Sequence, residues 1–204
     1  MIIYKATKLQ FISDVFNNTI ADNIDNAFVE HLGRHTSPNE VRSWENSMQY
    51  MYKVINTDKL PDNISVAIEY QTPLTAKRVD FIISGLNENK KEQLVIIELK
   101  QWDTAEPTQK KGIVVTHFQH GKAEVAHPSY QAWSYAFMLS NYNLTIQEAN
   151  VNITPCAYLH NYTPDGMING GMYNEYIEKA PVFLKNDALH LQNFISKHIR
   201  YAST

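Results

Sequence analysis

Cysteine occurs once among 204 residues, as Cys156. No internal disulfide can form, which excludes a small disulfide-built secreted domain; a lone thiol suits a reducing cytoplasm, and that is the expected location. No run approaches the roughly 18 apolar residues of a membrane-spanning helix, so no membrane partner is expected. The opening MIIYKATKLQF does not read as a secretory signal. Positive charge is not in excess either: 18 Lys and Arg face 21 Asp and Glu, a net charge of −3. Polybasic attachment to nucleic acid is thereby excluded, though a local basic cleft is not. No GxxxxGK[ST] loop is present, since Gly121-Lys122 is followed by Ala123 and lacks the upstream Gly. Low-complexity tracts, long Gly/Ser linkers and repeats are also missing.

Hydrophobic residues at 44% and charged residues at 19% suffice for an ordinary buried core. The length suits one domain over residues 1–204, with N-terminal helices in 1–60 and a sheet core and C-terminal helix in 61–204. Leu9, Phe11, Ile12, Val15, Phe16, Ile20, Ile24, Phe28 and Leu32 recur in steps of three and four, the period of one helix face. Gly33 is a stop signal. Ser37-Pro38-Asn39-Glu40 reads as a capping box opening a helix that carries Trp44, Met48, Met51, Tyr52 and Ile55. After Pro61, the runs 64–70, 78–84 and 93–100 are rich in Val and Ile and read as a three-stranded meander, with 112–118 as a fourth strand. A helix over 127–142, a strand over 153–160, a loop over 162–171, a short strand at 182–183 and a helix over 186–200 follow. The fold class is α/β, a mixed central sheet flanked by helices.

Chemistry concentrates at Asp80 and at Glu98-Leu99-Lys100, eighteen residues further on. Residues two apart on a strand share a face, so Glu98 and Lys100 project together at the end of the apolar row Leu94, Ile96. If the neighbouring strand brings Asp80 alongside, two carboxylates meet one ammonium. Carboxylates about 4 Å apart repel by about 4 kcal/mol at an effective dielectric near 20. That forces a proton onto one of them unless a cation intervenes. Oxygen ligands without Cys or an obligatory His favour Mg²⁺ or Mn²⁺ over zinc. On the following helix Gln131 and Tyr135 stand at i and i+4, one face, and both donate hydrogen bonds.

This order — Asp, ExK, then a helix with QxxxY — resembles the PD-(D/E)XK nuclease superfamily, and the last element its RecB-like branch. The stretches IEYQTPLTAKRVDFIISG, VIIELKQW and HPSYQAWSYA, with the ending APVFLKNDALHLQNFI, resemble the N-terminal domain of the Schlafen-group-3-like DNA/RNA helicases, a bacterial and phage family. The resemblance runs from MIIYKAT to the final helix. It implies a restriction-endonuclease-like core with extra N-terminal helices. It implies Asp80 and Glu98 as ligands of Mg²⁺ or Mn²⁺, the Leu99 carbonyl as a third, Lys100 as catalytic lysine, and Gln131 and Tyr135 as a supporting pair. The superfamily often adds a Glu from the first core helix; Glu40 is the candidate and Glu45 the alternative. Val79 stands where the family name has Pro. A helicase motor normally follows, so the chain is expected to be excised from a longer helicase-containing protein or to be a free-standing relative working with a motor in trans. The implied activity is metal-dependent hydrolysis of DNA, RNA not excluded, and family context alone adds defence against phage.

Blander readings stand beside these. Asp80, Glu98 and Lys100 also fit a structural ion-pair cluster, Glu40 a capping residue, Glu69 plain surface charge. His31 and His35, and His117 and His120, lack a third metal ligand. Trp102 either stacks on a base or packs. The pairs Lys77-Arg78, Lys90-Lys91 and Lys110-Lys111 either line a phosphate cleft or are solvated surface. For His127, before Pro128 at a helix start, capping, packing and substrate contact are all open. An inactive nucleic-acid-binding domain and a protein-interaction module with a vestigial site are the alternative functions.

Overall fold

The computed structural model describes residues 1–72, 77–118 and 121–203; His120 lies outside them. Strand β1 (Ile2–Thr7) leads into helices α1 (Lys8–Phe16), α2 (Ile20–Leu32) and α3 (Pro38–Ile55). Strands β2 (Ser65–Gln71), β3 (Arg78–Leu86) and β4 (Glu92–Lys100) follow, then β5 (Ala105–Pro107), β6 (Ile113–Phe118) and β7 (Gly121–Ala126). Helices α4 (Pro128–Tyr142) and α5 (Leu144–Glu148), β8 (Asn152–Leu159), α6 (Asn174–Lys179), β9 (Val182–Phe183) and α7 (Ala188–His198) complete the chain.

The central sheet has the order β1-β2-β3-β4-β8-β9. Its first four strands pair antiparallel, and β8 and β9 join in parallel. A parallel neighbour needs a crossover, and α4 supplies it between β4 and β8. The fold is therefore mixed α/β, with helices on both faces. Phe81, Ile83, Val95 and Ile97 pack on one face with residues of α1, α2, α3 and α7. Ile82 and Ile96 pack on the other with Tyr135, Ala136 and Leu139 of α4. Each such aliphatic side chain withdrawn from water contributes about 1.5–3 kcal/mol. Among the described residues no helix is long and apolar enough to cross a membrane.

Reading the first third as wholly helical fails at its outset. Residues Ile2–Thr7 form the edge strand β1, paired with β2, the partners running from Ile2↔Tyr70 to Thr7↔Ser65. The single helical stripe from Leu9 to Leu32 also breaks: Asn18 takes a left-handed conformation (φ 57°), which Asn tolerates. The break turns Leu9, Phe16 and Leu32 out to solvent. The strand over 113–118 belongs to a second, three-stranded sheet, β5-β6-β7, and not to the central one.

Helix α3 begins as its sequence dictates. Gly33, at φ 68°, ends α2. The Glu40 N–H then donates to Ser37 Oγ at 3.3 Å, and the Ser37 N–H to Glu40 Oε2 at 3.3 Å, a closed capping box. Trp44, Met48, Met51 and Ile55 are buried from this helix, with Tyr52 half-buried. Because the cap fixes the end of α3 that reaches the carboxylates described below, Ser37→Ala is expected to lower the unfolding free energy by about 1 kcal/mol. Urea denaturation of the two proteins measures it; equal midpoints would show that the cap contributes nothing.

Candidate functional site

The register of three adjacent strands aligns three acids. Ile68 pairs with Phe81 and Tyr70 with Val79, which sets Glu69 across from Asp80. Phe81 pairs with Ile97, so one step further along the same ladder Asp80 faces Glu98. The pleat also slips at this row. Ile68 and Phe81 pack in the core beneath α1–α3, whereas Tyr70 and Val79, two positions on, pack against the α4 side. Regular alternation would keep residues two apart on one face. Glu69 absorbs the slip in a left-handed conformation, φ 55°, which costs a non-glycine residue about 1–3 kcal/mol and recurs at functional sites. Glu69 and Asp80 thus sit at the seam between two cores.

Asp80, Glu98 and Lys100 converge as their spacing predicts. Asp80 Oδ2 accepts the Leu99 N–H at 2.8 Å. Lys100 Nζ donates to Glu98 Oε1 at 2.6 Å. Glu98 is 1% exposed, and its other oxygen, Oε2, is buried with no hydrogen-bond donor. Burial first, then the neighbouring Asp80 carboxylate, pushes Glu98 up to about 8. Burial raises Asp80 as well, against the pull of Lys100. Burial alone would lower Lys100, but the Glu98 and Asp80 carboxylates hold its ammonium above the ordinary value.

From α4, Gln131 Nε2 donates to the Tyr135 hydroxyl at 2.9 Å. Both line a cavity of about 440 Å³ with Glu69, Lys77, Arg78 and Asp80. Burial, then Glu98, holds the Tyr135 phenol well above its ordinary value, so it stays neutral. Because its oxygen accepts from Gln131, its own proton is available to an acceptor in the cavity.

A second acidic group adjoins the first. Glu69 Oε1 accepts from Trp44 Nε1 at 2.8 Å, and its Oε2 pairs with Arg78 Nε at 2.9 Å. Arg78 Nη2 reaches Glu40 Oε1 at 2.6 Å. Glu40 shares a cavity of about 100 Å³ with Asp80, Leu99 and Glu69, but its oxygens serve Arg78 and the α3 cap. Glu45 is exposed on α3 and lines the groove beyond Lys100, not the cavities that hold Asp80. Glu69, which reads as surface charge in the sequence, is 8% exposed and faces Asp80. Its signal is a single charge inside the apolar run ISVAIEY.

The remaining predicted contacts scatter. Arg78 spends its guanidinium on Glu40 and Glu69. His127 is fully buried: Nδ1 accepts from the Ser129 N–H at 3.1 Å, Nε2 meets the Ile168 carbonyl at 2.9 Å, and the ring stacks on Tyr173. It caps α4 and packs, and as placed it does not reach the surface where a nucleic acid would lie. Burial lowers its titration to about 4. Lys110 pairs with Glu124 on the second sheet, and Lys111 is exposed beside it; neither lines the cavities around Asp80. Trp102 is half-buried, its ring centroid 5.5 Å from Lys100 Nζ, in a groove beyond the lysine.

Among the described residues, no group of three or more His, Cys, Asp and Glu side chains is gathered to hold a metal ion. The donors that suit one are two carboxylates, Asp80 and Glu98. Mg²⁺ binds through one or two carboxylates and otherwise keeps its waters. The donorless Glu98 Oε2, buried beside Asp80, is the oxygen a hard cation would satisfy.

The pH dependence of stability follows from these groups. Glu98 and Glu69 are held above their ordinary range, at about 8 and about 7, so the folded chain keeps protons that the unfolded chain has released. Their stabilising contribution is complete below about pH 4.5 and is lost as pH rises through 7 to 8. The lowered histidines His127, His160 and His198 act in the opposite sense, but only below about pH 6.5. In EDTA the Tm is therefore expected to fall from about pH 6.5 to about 8.5, and to fall less in Glu98→Gln. Differential scanning calorimetry across that range reads it; a wild-type Tm that does not fall contradicts the burial of these acids.

Comparison with known proteins brings no likeness to add: no family model matches the sequence, and neither a curated protein nor a solved structure matches the chain.

Proposed function

We propose that this chain is a metal-dependent nuclease that hydrolyses DNA phosphodiester bonds, and that its core is restriction-endonuclease-like. The carrying observation is the Asp80–Glu98–Lys100 cluster, in which Glu98 is buried and its Oε2 has no hydrogen-bond donor while Asp80 and Lys100 stay partly exposed. No donor from elsewhere reaches that oxygen, and the Asp80 carboxylate lies beside it, so the pair needs either a shared proton or a cation. The element order α3, β2, β3, β4, α4, β8, with the acids on β3 and β4 and the Gln131–Tyr135 pair on α4, supports the same reading.

Asp80 and Glu98 would hold Mg²⁺ or Mn²⁺, with the Leu99 carbonyl as the third protein donor. Bound there, such an ion polarises a phosphoryl oxygen and lowers the pKa of bound water. The reaction is hydrolysis: a water oxygen bonds to phosphorus, one P–O bond to the sugar breaks, and the proton given up by the water is balanced by one taken up by the departing oxygen. Lys100 places a cation beside the attacked phosphate and offsets charge that grows in the transition state. Tyr135, neutral and oriented by Gln131, would donate a hydrogen bond from its hydroxyl to a phosphate oxygen or to a carboxylate. Lys77 and Arg78 line the cavity that holds Asp80 and make its rim basic toward a flanking phosphate. The helicase motor, in the same polypeptide or in trans, and a part in phage defence belong to this proposal as its context, and RNA remains the second polymer to assay.

Incubation of the purified chain with single- and double-stranded DNA in Mg²⁺ or Mn²⁺ is expected to yield cleavage that EDTA abolishes. Asp80→Ala and Lys100→Ala are each expected to slow it by about 100-fold or more. Equal cutting by wild type and both variants would trace the activity to a contaminant and end the proposal. A separate check needs no turnover: Mn²⁺ is expected to raise the Tm of the wild type and not of Asp80→Asn, by the mass action of a ligand that binds only the folded state.

A further inference from the structure

Beyond Lys100, a groove of about 1280 Å³ runs between α3 and the ends of β4 and β6. Its charges balance: Arg42 and Lys100 stand against Glu45 and Asp103, and Lys100 is already paired with Glu98. A track for a phosphate backbone needs net positive charge, so this groove is not one. What it offers instead is aromatic surface and amides. Phe118 is 50% exposed at the tip of β6, and Trp102, two residues past β4, is half-buried, packed against the core that holds Val114 and Tyr162 while still lining the groove. Asn46 and Gln49, three apart on α3, stand exposed along the facing helix.

We infer that this groove is a nucleobase subsite, which takes unpaired bases adjoining the phosphate that is cleaved. Unpaired bases present flat faces to Trp102 and Phe118, and edges with donors and acceptors to the amides and the two carboxylates. Bases in a duplex have their faces stacked on one another and cannot use such a surface. The occupant is therefore single-stranded at this point, with its bases turned into the groove and its backbone toward Lys100 and Asp80. The inference rests on the nuclease reading for the position of the phosphate. The groove itself is defined by residues outside the Asp80–Glu98–Lys100 cluster, apart from Lys100 at its inner end.

The test is fluorescence anisotropy on the full chain carrying Asp80→Ala, which keeps the probes intact. The probes are a short mixed-sequence single-stranded DNA, an abasic DNA of equal length, and the corresponding duplex. The abasic strand and the duplex are expected to bind about tenfold more weakly than the single strand, and adding Phe118→Ala to weaken the single strand by about tenfold. Phe118 is exposed, so its loss does not threaten the fold; Trp102→Ala is the second variant, read only where its Tm is preserved. Equal binding of abasic and ordinary strands, or no effect of Phe118→Ala, overturns the subsite even if the wild type cuts DNA. Base-dependent binding that falls in Phe118→Ala, in a wild type that cuts nothing with either metal, keeps the subsite and overturns the nuclease reading.

Discussion

Three carboxylates occupy neighbouring positions on three adjacent strands, Glu69 and Glu98 buried and Asp80 between them partly exposed, and the local structure is arranged around that conflict. Glu69, Asp80 and Glu98 cannot all ionise there unaided, because like charges a few ångströms apart with little solvent repel by several kcal/mol. The chain sends two cations into the row. Arg78 turns to one end and pairs with Glu69 and Glu40; Lys100 turns to the other and pairs with Glu98. Asp80, in the middle, keeps the Leu99 N–H. The central acid thus has the weakest claim on either cation, and Glu98 retains an oxygen with no donor. Below its raised pKa Glu98 carries a proton that it can share with Asp80. A hard dication would take the place of that proton.

The backbone makes this row possible by an irregularity. Strands that alternated cleanly would point Glu69 or Asp80 into one of the two apolar cores, where an unpaired charge is costly. The slip at Glu69 sets the acids at the seam between the cores, open on one side to the cavity beneath α3 and on the other to the cavity beside α4. The strain of a left-handed Glu in mid-strand is offset locally by the Trp44 and Arg78 bonds to its carboxylate. Strain, burial and raised titration at one residue agree that Glu69 belongs to the site's framework.

How much of this is legible in the sequence depends on the distance over which each feature is decided. The pairing of Glu98 with Lys100 follows from period two along one strand, and that of Gln131 with Tyr135 from i and i+4 on one helix; both are local, and both are found. The capping box at Ser37 and Glu40 is local as well. Glu69 is not legible, because its role depends on the register against Asp80 and on a positive φ that no Glu announces. Arg78 reads as either a phosphate contact or solvated surface until its two glutamate partners, one from α3 and one from β2, are in place. For His127 the sequence leaves capping, packing and substrate contact open because the residues that bury it, Ile168 and Tyr173, arrive more than forty positions later. Strand β1 is fixed by a partner equally remote, and six residues carry too little pattern to reveal it.

The second sheet explains why the site is reached from two directions. In the simplest arrangement β4 would pass directly to the crossover helix α4. Here β5, β6 and β7 are inserted between them, and their edges serve both openings. Phe118, at the end of β6, lines the groove beyond Lys100, whereas Val125 and Ala126, at the end of β7, line the cavity that holds Asp80, Gln131 and Tyr135. Val114 and Val125 pack in a third core with Tyr162, Ile168 and Tyr173 and with Ala157 and Leu159 of β8, so the insertion is anchored on the β8 end of the central sheet. Ala157 and Leu159 are the residues paired with Glu98 and Lys100, so packing of the inserted sheet is coupled directly to the strand that backs the carboxylate row.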